Sequence, residues 1–162
     1  MKNRNLTKEY DINYIRSSQQ NTYPLLFIDK IIEIKPGKYV KAIKNFTYNE
    51  WFFPAHFEDE PNVPGFIQIE ALVQSFIMTF LSIKKYKNMK TNFFDANNAK
   101  FRRKIIPGET LEIKAVLNDF KRGLAKGNAE GYVNKEFACS AEFVITIPEI
   151  FLIQFLTGYA FQ

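Results

Sequence analysis

Apolar side chains between residues 65 and 86 recur at the three- and four-residue spacing of a helix. The residues that share one helical face are Ile67, Glu70, Gln74, Ile77 and Leu81. Proline close to the first turn is typical of a helix start, so we predict a long apolar helix from Pro64-Gly65 to about residue 86. A buried acid on an apolar helix face is costly, which makes Glu70 the first candidate for a functional residue.

The other apolar positions predict short strands separated by turn residues. Strands are predicted over residues 25–34, 38–46, 99–106, 110–120, 124–133 and 137–147. Pro36-Gly37 and Pro107-Gly108 supply turn chemistry between them. Asp11 predicts the N-cap of a short helix before the first strand. The pattern therefore predicts an α+β fold, with one sheet of five or six strands against a long apolar helix.

Composition narrows the class of protein. The chain has 162 residues, of which 46% are hydrophobic, so it suits one folded domain and not a disordered chain. The net charge of +5 indicates an acidic partner, an anionic ligand or simply a solvated basic surface. Nucleic-acid binding is disfavoured, because no recognised motif accompanies the charge. The single cysteine, Cys139, excludes an internal disulfide and lies on an alternating strand, where we expect it in the core.

No segment at the start or in the middle of the chain is typical of membrane targeting. The first residues are charged and lack an apolar core, so no secretory signal is expected. The apolar run over residues 66–81 is interrupted by polar residues and is shorter than the roughly 20 residues that span a bilayer. We expect a buried helix and no transmembrane segment.

The residues around the helix start form a candidate chemical site. His56 is the only histidine, and Glu70 follows it after Pro64-Gly65. A neutral imidazole is suited to removing a weakly acidic proton near neutral pH. The N–H groups of a helix start stabilise charge that develops on an oxygen, and a buried acid can protonate a leaving group. The structural alternatives are a satisfied core histidine, a lysine-paired acid and a turn glycine.

Four segments carry a resemblance to a known family. They are YPLLFIDKIIEIKPGKYVKAIKNFTYNEWFF, AHFEDEPNVPGFIQIEALVQ, NAKFRRKIIPGETL and KRGLAKGNAEGYVNKEFACSAEF, which run from Tyr23 to Phe143. The chain resembles the 3-hydroxyacyl-acyl-carrier-protein dehydratases of the FabZ type, which have the hot-dog fold. The resemblance implies a single hot-dog domain over residues 1–162. Residues 1–22 form an N-terminal segment with a short helix, and residues 148–162 form an apolar C-terminal extension beyond the resemblance.

The resemblance also implies an activity and a division of roles. The activity is dehydration of 3-hydroxyacyl thioesters on acyl-carrier protein to trans-2-enoyl thioesters, in fatty-acid biosynthesis or a related pathway. His56 and Glu70 match the family's catalytic pair, in which the other subunit of a dimer supplies the glutamate. Gly65 and Phe66 match its oxyanion-binding helix start, and Gln74 matches a supporting glutamine. A cytoplasmic homodimer or trimer of dimers, working without a metal or organic cofactor, is implied.

Two further sets of residues are candidates for substrate contact. Tyr23, Phe94 and Phe101 are candidates for an acyl tunnel, with core packing as the alternative. Candidates for contact with an acidic carrier protein and its phosphopantetheine arm, as opposed to a solvated face, are Lys100, Arg102, Arg103, Lys104, Lys121, Arg122 and Lys126.

The chain departs from the family pattern near the histidine. The departures are Ala55, Glu58-Asp59, Glu60, Asn62 and Lys104. The departures at Ala55, Glu60 and Asn62 leave room for a specialised acyl product in place of housekeeping lipid synthesis. Two alternative functions also stay open: a hot-dog acyl thioesterase, in which a carboxylate activates water, and a non-catalytic acyl-binding module. Glu70 in place of the aspartate of the isomerising relatives argues against double-bond isomerisation.

Overall fold

A computed structural model of the chain describes residues 10–152. Six antiparallel strands form one sheet in the order β1-β2-β4-β5-β6-β3. The helices are α1 (Ile12–Ser18) and α2 (Gly65–Leu81), with short 3-10 turns at Phe53–Ala55 and Lys84–Tyr86. The strands are β1 (Lys30–Lys35), β2 (Tyr39–Asn45), β3 (Asn92–Phe101), β4 (Thr110–Lys121), β5 (Leu124–Val133) and β6 (Glu136–Thr146).

Helix α2 is the centre of the hydrophobic core. It packs against β2, β4, β5 and β6, and every residue from Ala71 to Leu81 is buried. Close approach of the helix to the sheet requires a glycine in β5: a Cβ at Gly127 would lie 2.4 Å from Cε2 of Phe76 and 2.1 Å from the carbonyl oxygen of Val116. The predicted long apolar helix against an antiparallel sheet is therefore present. The helix ends at Leu81, earlier than predicted, and a 3-10 turn follows.

The first predicted strand begins too early, because a side chain of helix α2 forms hydrogen bonds with the backbone of its first residues. The side-chain carbonyl of Gln74 accepts the Phe27 N–H at 2.7 Å, and its amide donates to the Leu25 carbonyl at 2.6 Å. Backbone groups bonded to a helix side chain are not available to a neighbouring strand. Strand β1 consequently starts at Lys30 and not at Leu25.

The strand predicted at residues 99–106 is also misplaced. Strand β3 spans Asn92–Phe101 and pairs with β6 from Asn92↔Thr146 to Phe101↔Cys139. All ten of its residues are exposed, so its sequence carries no alternation that would mark a buried face. Beyond it, the chain leaves the sheet, and the Ile105 carbonyl accepts the Val63 N–H at 2.8 Å.

The C-terminal extension is only partly described. Residues 148–152 form a helical turn that packs on the β4–β5 turn, where a Cβ at Gly123 (φ +75°) would lie 2.9 Å from Cβ of Ile150. Residues 153–162 lie outside the described residues, as does the start of the N-terminal segment before residue 10. Within residues 10–152, no helix is long and apolar enough to cross a membrane.

Candidate active site

His56 directly follows the 3-10 turn Phe53–Ala55, and its imidazole is oriented by the loop that leads to α2. Its Nδ1 lies 3.0 Å from the backbone carbonyl oxygen of Asn62, and its ring lies 4.3 Å from that of Phe57. A carbonyl oxygen can only accept a hydrogen bond, so the neutral imidazole carries its proton on Nδ1. The lone pair of Nε2 is then available to take a proton from a ligand.

His56 lines a pocket of about 410 Å³ at the start of α2. The pocket joins the histidine loop, the helix start and the segment after β3. Its lining residues are His56, Asn62, Val63, Gly65, Gln68, Phe101, Arg102, Arg103 and Lys104. Six predicted candidates therefore meet at one cavity: His56, Gly65, Phe101, Arg102, Arg103 and Lys104.

Two backbone donors at the start of α2 have no partner among the residues that the structure describes. The N-cap residue Pro64 offers no side-chain acceptor. The Gly65 and Phe66 N–H groups have no acceptor within residues 10–152, whereas the next two N–H groups bond to the Pro64 carbonyl. A Cβ at Gly65 would lie 3.2 Å from Cζ of Phe101, so glycine keeps a narrow gap open between the helix start and that ring. This arrangement suits an incoming oxygen that carries negative charge.

Glu70 lies on α2 in a network of amides. Its Oε1 accepts the Gln74 side-chain amide at 2.7 Å and the Asn21 side-chain amide at 3.3 Å. No lysine or arginine within residues 10–152 forms an ion pair with Glu70. The lysine-paired alternative is thus not realised in this part of the chain.

No hydrogen bond joins His56 to Glu70 within residues 10–152. The recorded side-chain contacts of His56 are with Asn62 and Phe57, and those of Glu70 are with Asn21 and Gln74. Glu70 is not among the residues that line the His56 pocket. Within the described part of one chain, the two predicted catalytic groups are therefore not united in a single cavity.

Comparison with known proteins decides the family. The family model of the FabA-like domain matches residues 20–142. The FabZ 3-hydroxyacyl-[acyl-carrier-protein] dehydratase of Desulforamulus reducens is 39% identical over 139 residues, which cover 86% of this chain and 98% of that protein. The chain belongs to the FabA-like family, among its FabZ-type dehydratases. The FabZ of Clostridium botulinum is 38% identical over 142 residues, or 88% of this chain and 99% of that protein.

A solved structure confirms the predicted hot-dog fold. A chain of the dehydratase heterocomplex ApeI:P from Xenorhabdus doucetiae superposes with a TM-score of 0.72 over 88% of this chain and 96% of that chain. The sequences are only 14% identical, so this likeness concerns the fold alone.

Two residues that depart from the FabZ pattern have opposite charges and form an ion pair with each other. Lys104 Nζ lies 2.6 Å from Oε1 of Glu60, and both residues are among the departures noted above. The pair joins the loop that carries Asn62 to the segment that lines the opposite side of the pocket. Because both side chains are exposed, the pair contributes little to stability, about 0–1 kcal/mol.

The predicted basic residues differ in whether carboxylates of the same chain already pair with them. The Arg103 guanidinium donates to Glu109 at 2.6 and 2.8 Å and to Glu136 at 2.8 Å. These contacts raise the pKa of Arg103, and the guanidinium holds the pKa of Glu109 below its ordinary value. Arg102 lines the pocket, is exposed and has no carboxylate partner within residues 10–152.

The remaining predicted cations are distributed over the sheet. Lys100 is exposed on β3, beside the pocket segment. Lys121 and Arg122 lie at the β4–β5 turn, at the other end of β4 from Glu109, up to about 40 Å away at the usual strand rise. Within one chain they are not part of the His56 pocket.

The predicted tunnel aromatics are exposed in the single chain. Tyr23 is 88% exposed, Phe94 65% and Phe101 44%, so the alternative of core packing within one chain does not hold. Phe66 is 65% exposed on the first turn of α2. Only Phe101 lines the His56 pocket, and Phe94 lies near Phe151 of the C-terminal segment.

Sequence reasoning missed two residues of the site. Asn21 contacts Glu70 although 49 positions separate them, and no local sequence pattern predicts such a contact. Gln68 lines the pocket while only 4% exposed, and its amide donates to the Val63 carbonyl at 3.0 Å. A glutamine within an apolar helix run was the available signal for Gln68. No cluster of three or more metal-ligating side chains occurs within the described range.

Proposed function

We propose that this chain removes water from 3-hydroxyacyl thioesters held on acyl-carrier protein, with His56 as the base and Glu70 of a second subunit as the acid. Membership of the FabZ-type dehydratases supports the reaction. The observation that carries the assignment of roles is the pocket in which His56, oriented through Nδ1, faces the helix start at Gly65. We place the reaction in the cytoplasm, where carrier-linked fatty-acid synthesis supplies the substrate.

The first chemical step is loss of the Cα proton. Nε2 of His56 takes this proton, and the electron pair of the broken C–H bond moves toward the thioester carbonyl, whose oxygen becomes negative. The Gly65 and Phe66 N–H groups, which have no acceptor among the described residues, stabilise that oxygen together with the dipole of the 17-residue helix α2. The glycine at this position leaves room for the thioester next to Phe101.

The second step is loss of the 3-hydroxyl. The electron pair returns to form the Cα=Cβ bond, the Cβ–O bond breaks, and the oxygen leaves as water once Glu70 has given it a proton. The proton taken by His56 and the proton lost by Glu70 balance, so the site needs only proton exchange with solvent between turnovers. Gln74 supports the acid through its 2.7 Å hydrogen bond.

The partner subunit is expected along strand β3. This strand lies at the end of the sheet, so one side of its backbone has no partner strand in the part of the chain that the structure describes, and an exposed edge strand is a template for pairing with another chain. Phe93, Phe94 and Phe101 expose 50%, 65% and 44% of their surfaces on it. Pairing of two β3 strands would cover these rings and turn them toward a shared acyl channel, to which Tyr23 would add a fourth aromatic side chain. Three such dimers could assemble as a hexamer.

Arg102 and Lys100 are the cations that we assign to carrier docking. Both are exposed, and neither has a carboxylate partner within residues 10–152, whereas the charges of Arg103 and Lys104 are compensated by glutamates. Positive charge beside the pocket would speed the encounter with an acidic carrier protein. Lys121 and Arg122 could contact the carrier only from a different position in the assembly.

Subunit mixing tests the shared site. His56→Ala and Glu70→Ala chains with different affinity tags are co-expressed, the mixed dimers are isolated, and enoyl formation is followed by absorbance. Each parent dimer should be inactive. A mixed dimer has one site with both groups intact, so it should regain up to half of the wild-type rate.

The control and the alternative function use the same samples. Dimers mixed from two differently tagged His56→Ala chains should stay inactive. If the His56→Ala and Glu70→Ala mixed dimers regain no activity, the two groups do not act across the subunit boundary. Release of free thiol without enoyl product would instead identify a thioesterase.

A further inference from the structure

Oε1 of Glu70 receives two hydrogen bonds, and only the one from Gln74 belongs to the supporting role expected for that residue. The second comes from Nδ2 of Asn21, at 3.3 Å, from the loop between α1 and β1. We propose that Asn21 is a positioning residue for the dehydration. Together with Gln74 it occupies Oε1 of Glu70, so that Oε2 carries the proton for the leaving hydroxyl. This inference rests on the proposed role of Glu70.

Gln74 alone does not hold the carboxyl group in one orientation. Its Nε2 is shared between Glu70 and the Leu25 carbonyl, and its Oε1 accepts the Phe27 N–H, so its hydrogen-bonding capacity is used. The terminal torsion of a glutamate is broad and roughly two-fold, so a single donor permits exchange of the two oxygens. A second donor to the same oxygen, from a different chain segment, favours one orientation.

The backbone around Asn21 is tied down on both sides. Nε2 of Gln20 donates to the Asn88 carbonyl at 3.0 Å, and the Asn88 N–H donates to the Ser18 carbonyl at 2.9 Å. The Leu25 N–H closes a turn on the Thr22 carbonyl at 2.8 Å. Asn21 therefore reaches Glu70 from a segment with a defined position relative to α2.

The chemical nature of the donor suits an acid that must exchange its proton. An arginine or lysine beside Glu70 would favour the carboxylate anion strongly, and such a group could not serve as a proton donor near neutral pH. Asn21 and Gln74 are neutral amides, and no cation within residues 10–152 forms an ion pair with Glu70. Two neutral donors orient the carboxyl group without placing a positive charge beside it.

The test compares Asn21→Ala, Asn21→Asp and the neighbouring control Thr22→Ala, each as the full-length chain with carrier-linked substrate. Loss of the Asn21 hydrogen bond should lower kcat about tenfold and change KM less than twofold. In Asn21→Asp a second carboxylate faces Glu70, so the high-pH limb of the kcat profile should move to higher pH. Thr22→Ala should keep the wild-type kcat and pH profile, because the Thr22 side chain is exposed and its backbone carbonyl is retained.

Each outcome separates this inference from the proposed function. Glu70→Gln, measured in parallel, should be inactive; if it retains wild-type activity, the role of Glu70 as the acid is wrong. If Glu70→Gln is inactive but both Asn21 variants keep the wild-type kcat, only the inference about Asn21 is overturned. A lower kcat in both Asn21 variants without any movement of the pH limb would show a purely structural role, and this too overturns it. Thermal melts of the nearly isosteric Asn21→Asp should match those of wild type, so that a change in its kcat cannot be due to unfolding.

Discussion

Replacement of Arg103 by alanine tests whether this residue stabilises the fold or binds the carrier protein. The sequence placed Arg103 among candidates for carrier contact. In the structure its guanidinium holds Glu109 through two hydrogen bonds of 2.6 and 2.8 Å, and it also reaches Glu136 and the Lys104 carbonyl. Arg103→Ala removes all of these donors and leaves the Glu109 carboxylate without its cation. We therefore expect mainly a loss of stability.

The burial of the pair sets the magnitude of this loss. Removing one partner of a fully buried ion pair costs about 3–5 kcal/mol. The Arg103 and Glu109 side chains are 20% and 15% exposed, and Glu136 is largely exposed, so solvent screening reduces the cost to about 2–3 kcal/mol. A chain of 162 residues has an unfolding entropy of about 0.34 kcal/mol per kelvin, which converts this loss into a Tm decrease of about 6–9 °C.

Thermal melts and two substrates provide the assay, with Arg102→Ala as the matched control. Arg103→Ala should lower Tm and should affect carrier-linked substrate and a small carrier-free thioester alike. Arg102→Ala should keep Tm within about 1 °C, because Arg102 is exposed and has no carboxylate partner within residues 10–152, and should raise KM for carrier-linked substrate alone. An unchanged Tm in Arg103→Ala, with a KM increase limited to carrier-linked substrate, would refute the structural assignment.

Three further predictions follow from the site and the core. Gly65→Ala should change stability by less than about 1 kcal/mol, since the half-exposed Phe101 ring can yield to a Cβ at 3.2 Å, but should lower kcat at least tenfold by closing the thioester gap; a wild-type kcat would contradict this. Burial raises the pKa of the Cys139 thiol to about 12, so iodoacetamide at pH 8 should label it only in denaturant, as mass spectrometry would show. Arg103 holds the pKa of Glu109 below its ordinary 4.5, so this carboxylate stabilises the fold above that pH, and the advantage of wild type over Glu109→Gln in urea melts should shrink as pH falls through the lowered pKa.

Much of the fold could be predicted from local patterns. The helical repeat after Pro64-Gly65 and the alternation of β6 predicted elements that the structure confirms, because burial on one face of a regular element leaves a period in the sequence. Strand β3 could not be located in this way, since all its residues are exposed and its position is set by pairing with β6. The start of β1 was wrong for a related reason: Gln74 takes the backbone groups at residues 25 and 27.

The sequence by itself determined the chemical inventory of this protein. The candidate residues His56, Gly65 and Glu70 could be named from the sequence alone. Because they are near one another in the chain, their spacing forms a motif, and this motif indicated the family. The tertiary structure alone decided how Asn21 meets Glu70, how Glu60 meets Lys104, and how Arg103 is held by Glu109 and Glu136. Hydrogen bonds and ion pairs between distant segments have no sequence period, since their geometry exists only after helix and sheet have packed.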